Sequence, residues 1–279
     1  MRAVVKPIRT RIFSDLHYGD RASALTELPA LRPALEDVSE VILNGDTLDT
    51  RPSPDPEMTQ SLRDEVIDFF QRNHPSVAFL TGNHDPDLSQ AHAVERFDRQ
   101  VLVSHGDILF DEMVPWGQDA TLLRQRVNEE LNRLTPCERI EFETRLAAFR
   151  RAALTIPQRH QSEKNGLKYA LGFLTDTVWP PMRVLHILRA WREAPERAAA
   201  LVTRHDFPSK YFVMGHTHRL GAVRTRSGLV VLNTGSFCPP GGSGVVDITE
   251  DQIVLRRLER KNREYRLGPT LAEFALARA

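Results

Sequence analysis

Cysteine is scarce: the 279 residues hold two, Cys137 and Cys238. They lie far apart in different predicted regions, so free thiols are expected rather than a bridge. Long apolar runs are missing too; no stretch approaches the roughly 20 residues a membrane helix needs. The basic segment Met1 to Arg11 runs into apolar residues, but Asp15 and His17 break that stretch before it reaches the length of a signal-peptide core. A cytoplasmic protein without a transmembrane segment is therefore expected. There are no internal repeats and no low-complexity tracts. Aromatic residues are only 7% of the chain, which leaves few rings to stack nucleic-acid bases. Net charge is also absent, at zero.

That zero conceals an asymmetry. Residues 1–112 carry 11 basic against 20 acidic side chains, residues 113–205 carry 15 against 10, and residues 206–279 carry 11 against 7. The acidic first part holds the carboxylates that bound dications would offset, and the basic middle suits an anionic substrate. With 41% apolar and 27% charged residues, the composition is that of a globular protein able to bury one large core, alone or with a smaller appendage.

Short apolar runs end where Gly, Asn, Asp and His begin. Thr10–Ser14 leads into Asp15-x-His17, Val41–Leu43 into Gly45-Asp46-x-x-Asp49, and Val77–Leu80 into Gly82-Asn83-His84-Asp85. Val101–Val103 leads into Ser104-His105-Gly106-Asp107, and Tyr211–Met214 into Gly215-His216-x-His218. Runs of this length and flanking read as buried strands, and an open α/β sheet carries its chemistry at strand carboxyl ends. Ala22–Leu35 and Met58–Arg72 have helical spacing. Residues 113–205 read as a helical insert, a lid or cap over the site. In it Ala120–Leu134 is a helix, and Pro136–Leu154 is another with Thr135 as N-cap and Glu138 completing a capping box. Gly166–Thr177 and Met182–Trp191 follow, separated by Trp179-Pro180-Pro181. After His218, Gly221–Thr225, Gly228–Asn233, Gly244–Ile248 and Gln252–Leu258 read as an antiparallel series. Residues 1–112 and 206–258 thus form the expected core, and 259–279 a C-terminal tail or helix.

The five motif segments supply a mixed set of oxygen and imidazole ligands: Asp15, His17, Asp46, Asn83, His105, His216 and His218. Residues separated by one position project the same way from extended backbone, which suits Asp15-x-His17 and His216-x-His218. A carboxylate such as Asp46 can bridge two ions. Two divalent ions about 3.5–4 Å apart acidify a shared water for in-line attack on phosphorus. Such a ligand set suits Mn²⁺ first, with Fe²⁺, Zn²⁺ or a mixed pair as alternatives. His74, His92, His160, His186 and His205 fall outside the motifs and are not assigned to metal. Asp107 is either a support behind the site or a turn former, and Asn233–Ser236 is mainly a loop signal.

This ordered pattern resembles the calcineurin-like metallophosphoesterase superfamily, with every motif position filled. The resemblance implies an α/β fold, a four-layer αββα sandwich with the helical insert added, and a phosphoester substrate. It implies that Asp15, His17, Asp46 and His218 hold one metal and that Asp46, Asn83, His105 and His216 hold the other. His84 would assist the leaving oxygen, Asp85 would orient His84, and Asp49 would act behind the ligands.

The contexts around His105 and His216, with a helical insert between them, look similar to the UDP-2,3-diacylglucosamine pyrophosphatase branch. That branch commonly has Arg after the motif Asn, where this chain has His84. Arg159, Ser162, Asn165 and Lys168 stand where an inserted lid would meet a sugar or diphosphate. The resemblance thus favours a phosphodiester or pyrophosphate in a small or lipid-linked molecule, with peripheral membrane contact through the insert. A nucleic-acid phosphodiester, a phosphomonoester and a non-catalytic binding scaffold are the alternatives.

Overall fold

The apolar runs become strands because each can be buried on both faces. The computed structural model describes residues 9–74, 76–158 and 182–276. In chain order the strands are β1 (Thr10–Phe13), β2 (Glu40–Asn44), β3 (Val77–Leu80), β4 (Ala93–Arg96), β5 (Val101–Ser104), β6 (Tyr211–Met214), β7 (Gly221–Arg224), β8 (Val230–Asn233), β9 (Gly244–Ile248), β10 (Gln252–Lys261) and β11 (Glu264–Ala275). They form two sheets, ordered β11-β10-β9-β1-β2-β3 and β4-β5-β6-β8-β7. Strands β1, β2 and β3 are parallel to one another, as are β5, β6 and β8.

Alternation along these strands fills two different interfaces. Between the sheets, Ile12, Ile42 and Leu80 meet Val101, Val103, Val213 and Leu232. On the outer face of the first sheet, Phe13, Val41 and Leu43 meet Val66 and Phe70 of helix α1 (Pro56–Asn73) and Leu28, Leu31 and Leu35 of a 3-10 helix. On the outer face of the second sheet, Leu102, Phe212, Met214 and Val231 meet three helices. These are α2 (Ala120–Asn132), α4 (Phe142–Ala153) and α5 (Met182–Arg204), with a short α3 (Pro136–Ile140) before α4. The result is a four-layer αββα sandwich. The described helices of residues 113–205 therefore cover a sheet face, and their edge turns toward the site.

Several local expectations change. Ala22–Leu35 yields only the 3-10 helix Leu28–Leu35, because Pro29 and Pro33 remove backbone donors. Pro136–Leu154 splits at Glu141, whose ψ of 129° ends one helix and starts the next. The Thr135 capping box forms, with the Thr135 hydroxyl accepting from the Glu138 N–H at 3.3 Å and Glu138 accepting from the Thr135 N–H at 2.8 Å. The antiparallel series after His218 divides between sheets: β7 pairs with β8, while β9 crosses over to lie between β1 and β10.

Residues 259–275 are neither tail nor helix. They finish β10 and form β11, joined through Asn262 and Arg263 at φ of 52° and 68°. That is a two-residue hairpin turn of left-handed residues, lacking the Asn-Gly signature that would have marked it. Among the described residues no helix is long and apolar enough to cross a membrane.

Candidate metal centre

Five strands deliver the motif residues to one edge of the sandwich. Asp15 and His17 follow β1, Asp46 follows β2, Asn83 and His84 follow β3, His105 follows β5, and His216 and His218 follow β6. Asp15, His17, Asp46, His216 and His218 have φ of 53°, 46°, 52°, 62° and 56°. Left-handed backbone is rare for residues with a Cβ and costs on the order of 1–3 kcal/mol at each position. Neighbouring loops hold the conformation. The Asp15 N–H donates to Gly45 O, the His17 N–H to Asp46 O and the Gly215 N–H to His105 O, each at 3.0 Å. Gly45 must be glycine here, since its φ is 79° and a Cβ would lie 2.6 Å from His105 Nδ1.

The side chains gather into two groups. Asp15, His17 and His218 bring their ligand atoms within 4.8 Å of one another, and so do Asp46, His105 and His216. In the first, His218 Nε2 is 3.0 Å from Asp15 Oδ1 and 3.3 Å from His17 Nε2. Asp46 Oδ2 faces both groups, 3.9 Å from His17 Nε2 and 3.3 Å from His105 Nε2. His105 Nδ1 is bonded to Asn44 O at 2.9 Å and His216 Nε2 to Met113 O at 2.8 Å. Those bonds select His105 Nε2 and His216 Nδ1 as the free nitrogens. His105 Nε2 and Asn83 Oδ1 are buried with no hydrogen-bond partner. Orphaned donors of this kind, converging on buried carboxylates, fit a pair of divalent cations.

Protonation follows the same logic. Burial pushes His17 and His216 down to about 4, aided by the neighbouring histidines, which leaves the neutral imidazole that binds metal. His105 goes the other way, to about 10: burial opposes the charge, but Asp46, Asp15 and Asp107 outweigh it.

Asp85 does not orient His84. Its carboxylate turns inward and accepts backbone N–H groups of Asp46 at 2.9 Å, Thr47 at 2.7 Å and Gly82 at 2.6 Å. The carboxylate at His84 is that of Asp49, whose Oδ2 is 3.1 Å from His84 Nδ1. Arg51 pairs with both Asp49 oxygens and brings Nη2 to 2.9 Å from the same nitrogen. The reason is geometric: with His84 exposed to the pocket, its sequence neighbour is forced into the interior. Asp85→Ala would leave three buried donors unpaired, and a loss of about 3 kcal/mol in stability is expected. Denaturant unfolding of metal-free protein measures it, and a change below 1 kcal/mol would contradict this role.

The model of calcineurin-like phosphoesterases matches residues 8–220. The chain belongs to that family. Among curated proteins no sequence match is found. Solved structures similar to this chain include Vacuolar Protein Sorting 29 of Cryptosporidium parvum, 12% identical, covering 97% of this chain and 99% of that one with a TM-score of 0.47. A dimetal phosphatase from Danio rerio is 15% identical, covering 95% and 99% with a TM-score of 0.43.

Beside the two candidate ligand groups lies a pocket of about 390 Å³. Its lining includes His17, Asn83, His84 and His218, and an apolar wall of Met113, Trp116, Leu123, Ile156, Ile187 and Trp191. Residues of the 113–205 region also reach the site loops. Gln158 donates to Asp49 O at 2.7 Å and Arg51 O at 3.0 Å, and Trp191 Nε1 donates to Thr217 O at 2.7 Å.

Asn233 braces the histidine loop, its amide donating to Gly215 O at 2.7 Å and Thr217 Oγ1 at 2.9 Å. Arg51, Gln158 and Trp191 carry no motif and were not foreseen in the site, although Arg51 stands next but one to Asp49. Arg159, Ser162, Asn165 and Lys168 lie outside the described residues, as do His160 and the Gly166–Thr177 and Trp179–Pro181 segments.

Proposed function

We propose that this chain hydrolyses a phosphodiester or pyrophosphate bond at a centre of two divalent ions. The observation that carries this reading is the meeting of two ligand groups at Asp46, with His105 Nε2 and Asn83 Oδ1 buried and unsatisfied beside it. Asp15, His17, Asp46 and His218 would hold one ion; Asp46, Asn83, His105 and His216 would hold the other. When bound, such a pair supplies Lewis acidity toward phosphoryl oxygens and brings the pKa of water near neutrality. Mn²⁺ is the first choice, since mixed oxygen and imidazole ligands suit it and the acidic half of the chain accommodates its charge.

His84 is the group proposed to protonate the leaving oxygen. Its side chain is 28% exposed and lines the pocket, while Nδ1 is held by Asp49 and Arg51. If Nδ1 accepts from Arg51, the proton of the neutral ring sits on Nε2. If Nδ1 donates to Asp49, the imidazolium still carries a proton on Nε2; burial and Arg51 oppose that cation, but Asp46 and Asp49 raise its pKa. Asp85 acts by shaping the Asp46 loop rather than on the substrate.

The apolar wall of the pocket supports a substrate with an organic group on the far side of phosphorus, such as a nucleotide-sugar lipid, handled in the cytoplasm and reached by peripheral membrane contact. Nucleic acid is the second choice, because among the described residues the wall offers only Trp116 and Trp191 as stacking rings.

Hydrolysis of bis-p-nitrophenyl phosphate beside p-nitrophenyl phosphate, using metal-stripped protein with added Mn²⁺, tests the reading. Faster diester turnover is expected. Faster monoester turnover would make the protein a phosphatase, and two bound ions without any turnover would favour a binding scaffold. Association with anionic liposomes tests the membrane contact, and its absence would count against a lipid-linked substrate.

A further inference from the structure

An arginine on an apolar helix face needs a reason. Arg150 lies on α4 among Leu146, Phe149 and Ala153 and is 3% exposed. Burying a guanidinium costs several kcal/mol unless its donors are well paired. Arg150 makes four side-chain hydrogen bonds, with two loops at once. Nη1 and Nη2 donate to the two carboxylate oxygens of Asp107, the second at 3.0 Å. Nε donates to Thr81 Oγ1 at 2.7 Å, and Nη2 donates to Thr81 O at 2.9 Å. The Thr81 hydroxyl in turn meets His92 Nδ1 at 2.7 Å. Burial and Arg150 push His92 down to about 4, which keeps that ring neutral.

The positions of these partners matter. Thr81 precedes Asn83 by two residues on the β3 loop, and Asp107 follows His105 by two on the β5 loop. The β3 and β5 strands belong to different sheets. The Arg150 fork therefore spans the two sheets where Asn83 and His105 emerge. Its hydrogen bonds in the described structure go to these two residues and not to the loops of Asp15, His17 or His218.

We infer that Arg150 is a positioning residue for one half of the metal centre: it sets the spacing of Asn83 and His105 and so the affinity of the ion they share with Asp46 and His216. This rests on the two-metal reading above. It also makes residues 113–158 a part of the metal centre rather than only a cover for the substrate.

Titration of metal-stripped protein with Mn²⁺ by calorimetry, with metal analysis of the product, tests it. The unmutated chain should take up two ions. In Arg150→Lys, which keeps the charge and loses the planar fork, one binding event should weaken by about 10–100-fold, the usual cost of losing an outer partner of a metal ligand. The other event should stay within about twofold. The weakened event should be the one that His216→Ala abolishes and His218→Ala spares.

Thr81→Val, which leaves the Arg150–Asp107 pair intact, should give a smaller loss in the same event, and it carries the test if Arg150→Lys does not fold. The double variant Arg150→Met with Asp107→Asn leaves no unpaired charge and should show the same selective loss, which separates spacing from electrostatics. Equal weakening of both events in a folded variant, or no weakening, overturns the inference. Fewer than two ions on the unmutated chain would overturn the two-metal reading itself, and the inference with it.

Discussion

Asp46→Asn is expected to abolish the metal pair while leaving the fold in place. Asparagine keeps the shape and the Oδ1 that accepts the His84 N–H at 2.8 Å. It removes the charge at the oxygen facing His17 and His105. Asp46 is the residue through which the two ligand groups meet, so its charge serves both ions, and neither site has a carboxylate to replace it except Asp15 in the first. Metal content should fall from two ions per chain to one or fewer. Diester hydrolysis should drop by at least about 10³-fold, at the upper end of what a single electrostatic stabiliser contributes. Metal analysis and turnover on the same preparation decide the matter. A variant that keeps both ions and more than a tenth of its activity would remove Asp46 as the shared ligand.

His84→Ala should separate chemistry from metal binding. His84 belongs to neither ligand group, and the Asp49–Arg51 pair that holds its ring survives its removal. Two ions should still bind with near-normal affinity. Turnover should fall by about 10²–10⁴-fold, the usual range for a positioned proton donor. The loss should depend on the leaving group: large for an alkyl alcohol that needs a proton, small for p-nitrophenol, which leaves as the anion. A uniform loss across leaving groups would assign His84 to orienting the phosphoryl group instead. Loss of metal would mean that the ring supports the ligands.

The motif residues were legible because each sits just past a strand, where local sequence dictates both position and spacing. Asp15-x-His17 and His216-x-His218 each place two ligands two residues apart, and in the structure the first pair meets His218 while His216 turns to His105. The family resemblance implied that division, but spacing alone does not: all four residues are left-handed, yet Asp15 and His17 share a group while His216 and His218 part. The support around His84 was misread for a related reason. Adjacency suggested Asp85, but the backbone turn sends adjacent side chains to opposite sides, and Asp49 arrives from another loop. The hairpin of β10 and β11 escaped notice because its turn is Asn262-Arg263 and its pairing shifts register after Leu255 and Arg256.

By itself the sequence determined the order of the strands that end in motif residues, which of those residues are candidate ligands, and the family to which the chain belongs. Those features are local, carried by a few residues around a strand end. Tertiary structure alone decided which carboxylate faces His84. It also placed the helices of residues 113–205 as the fourth layer, with Arg150 reaching loops 43 and 69 positions away. Contacts of that range follow from how helices and sheets bury their apolar faces against one another, and no short stretch of sequence encodes them.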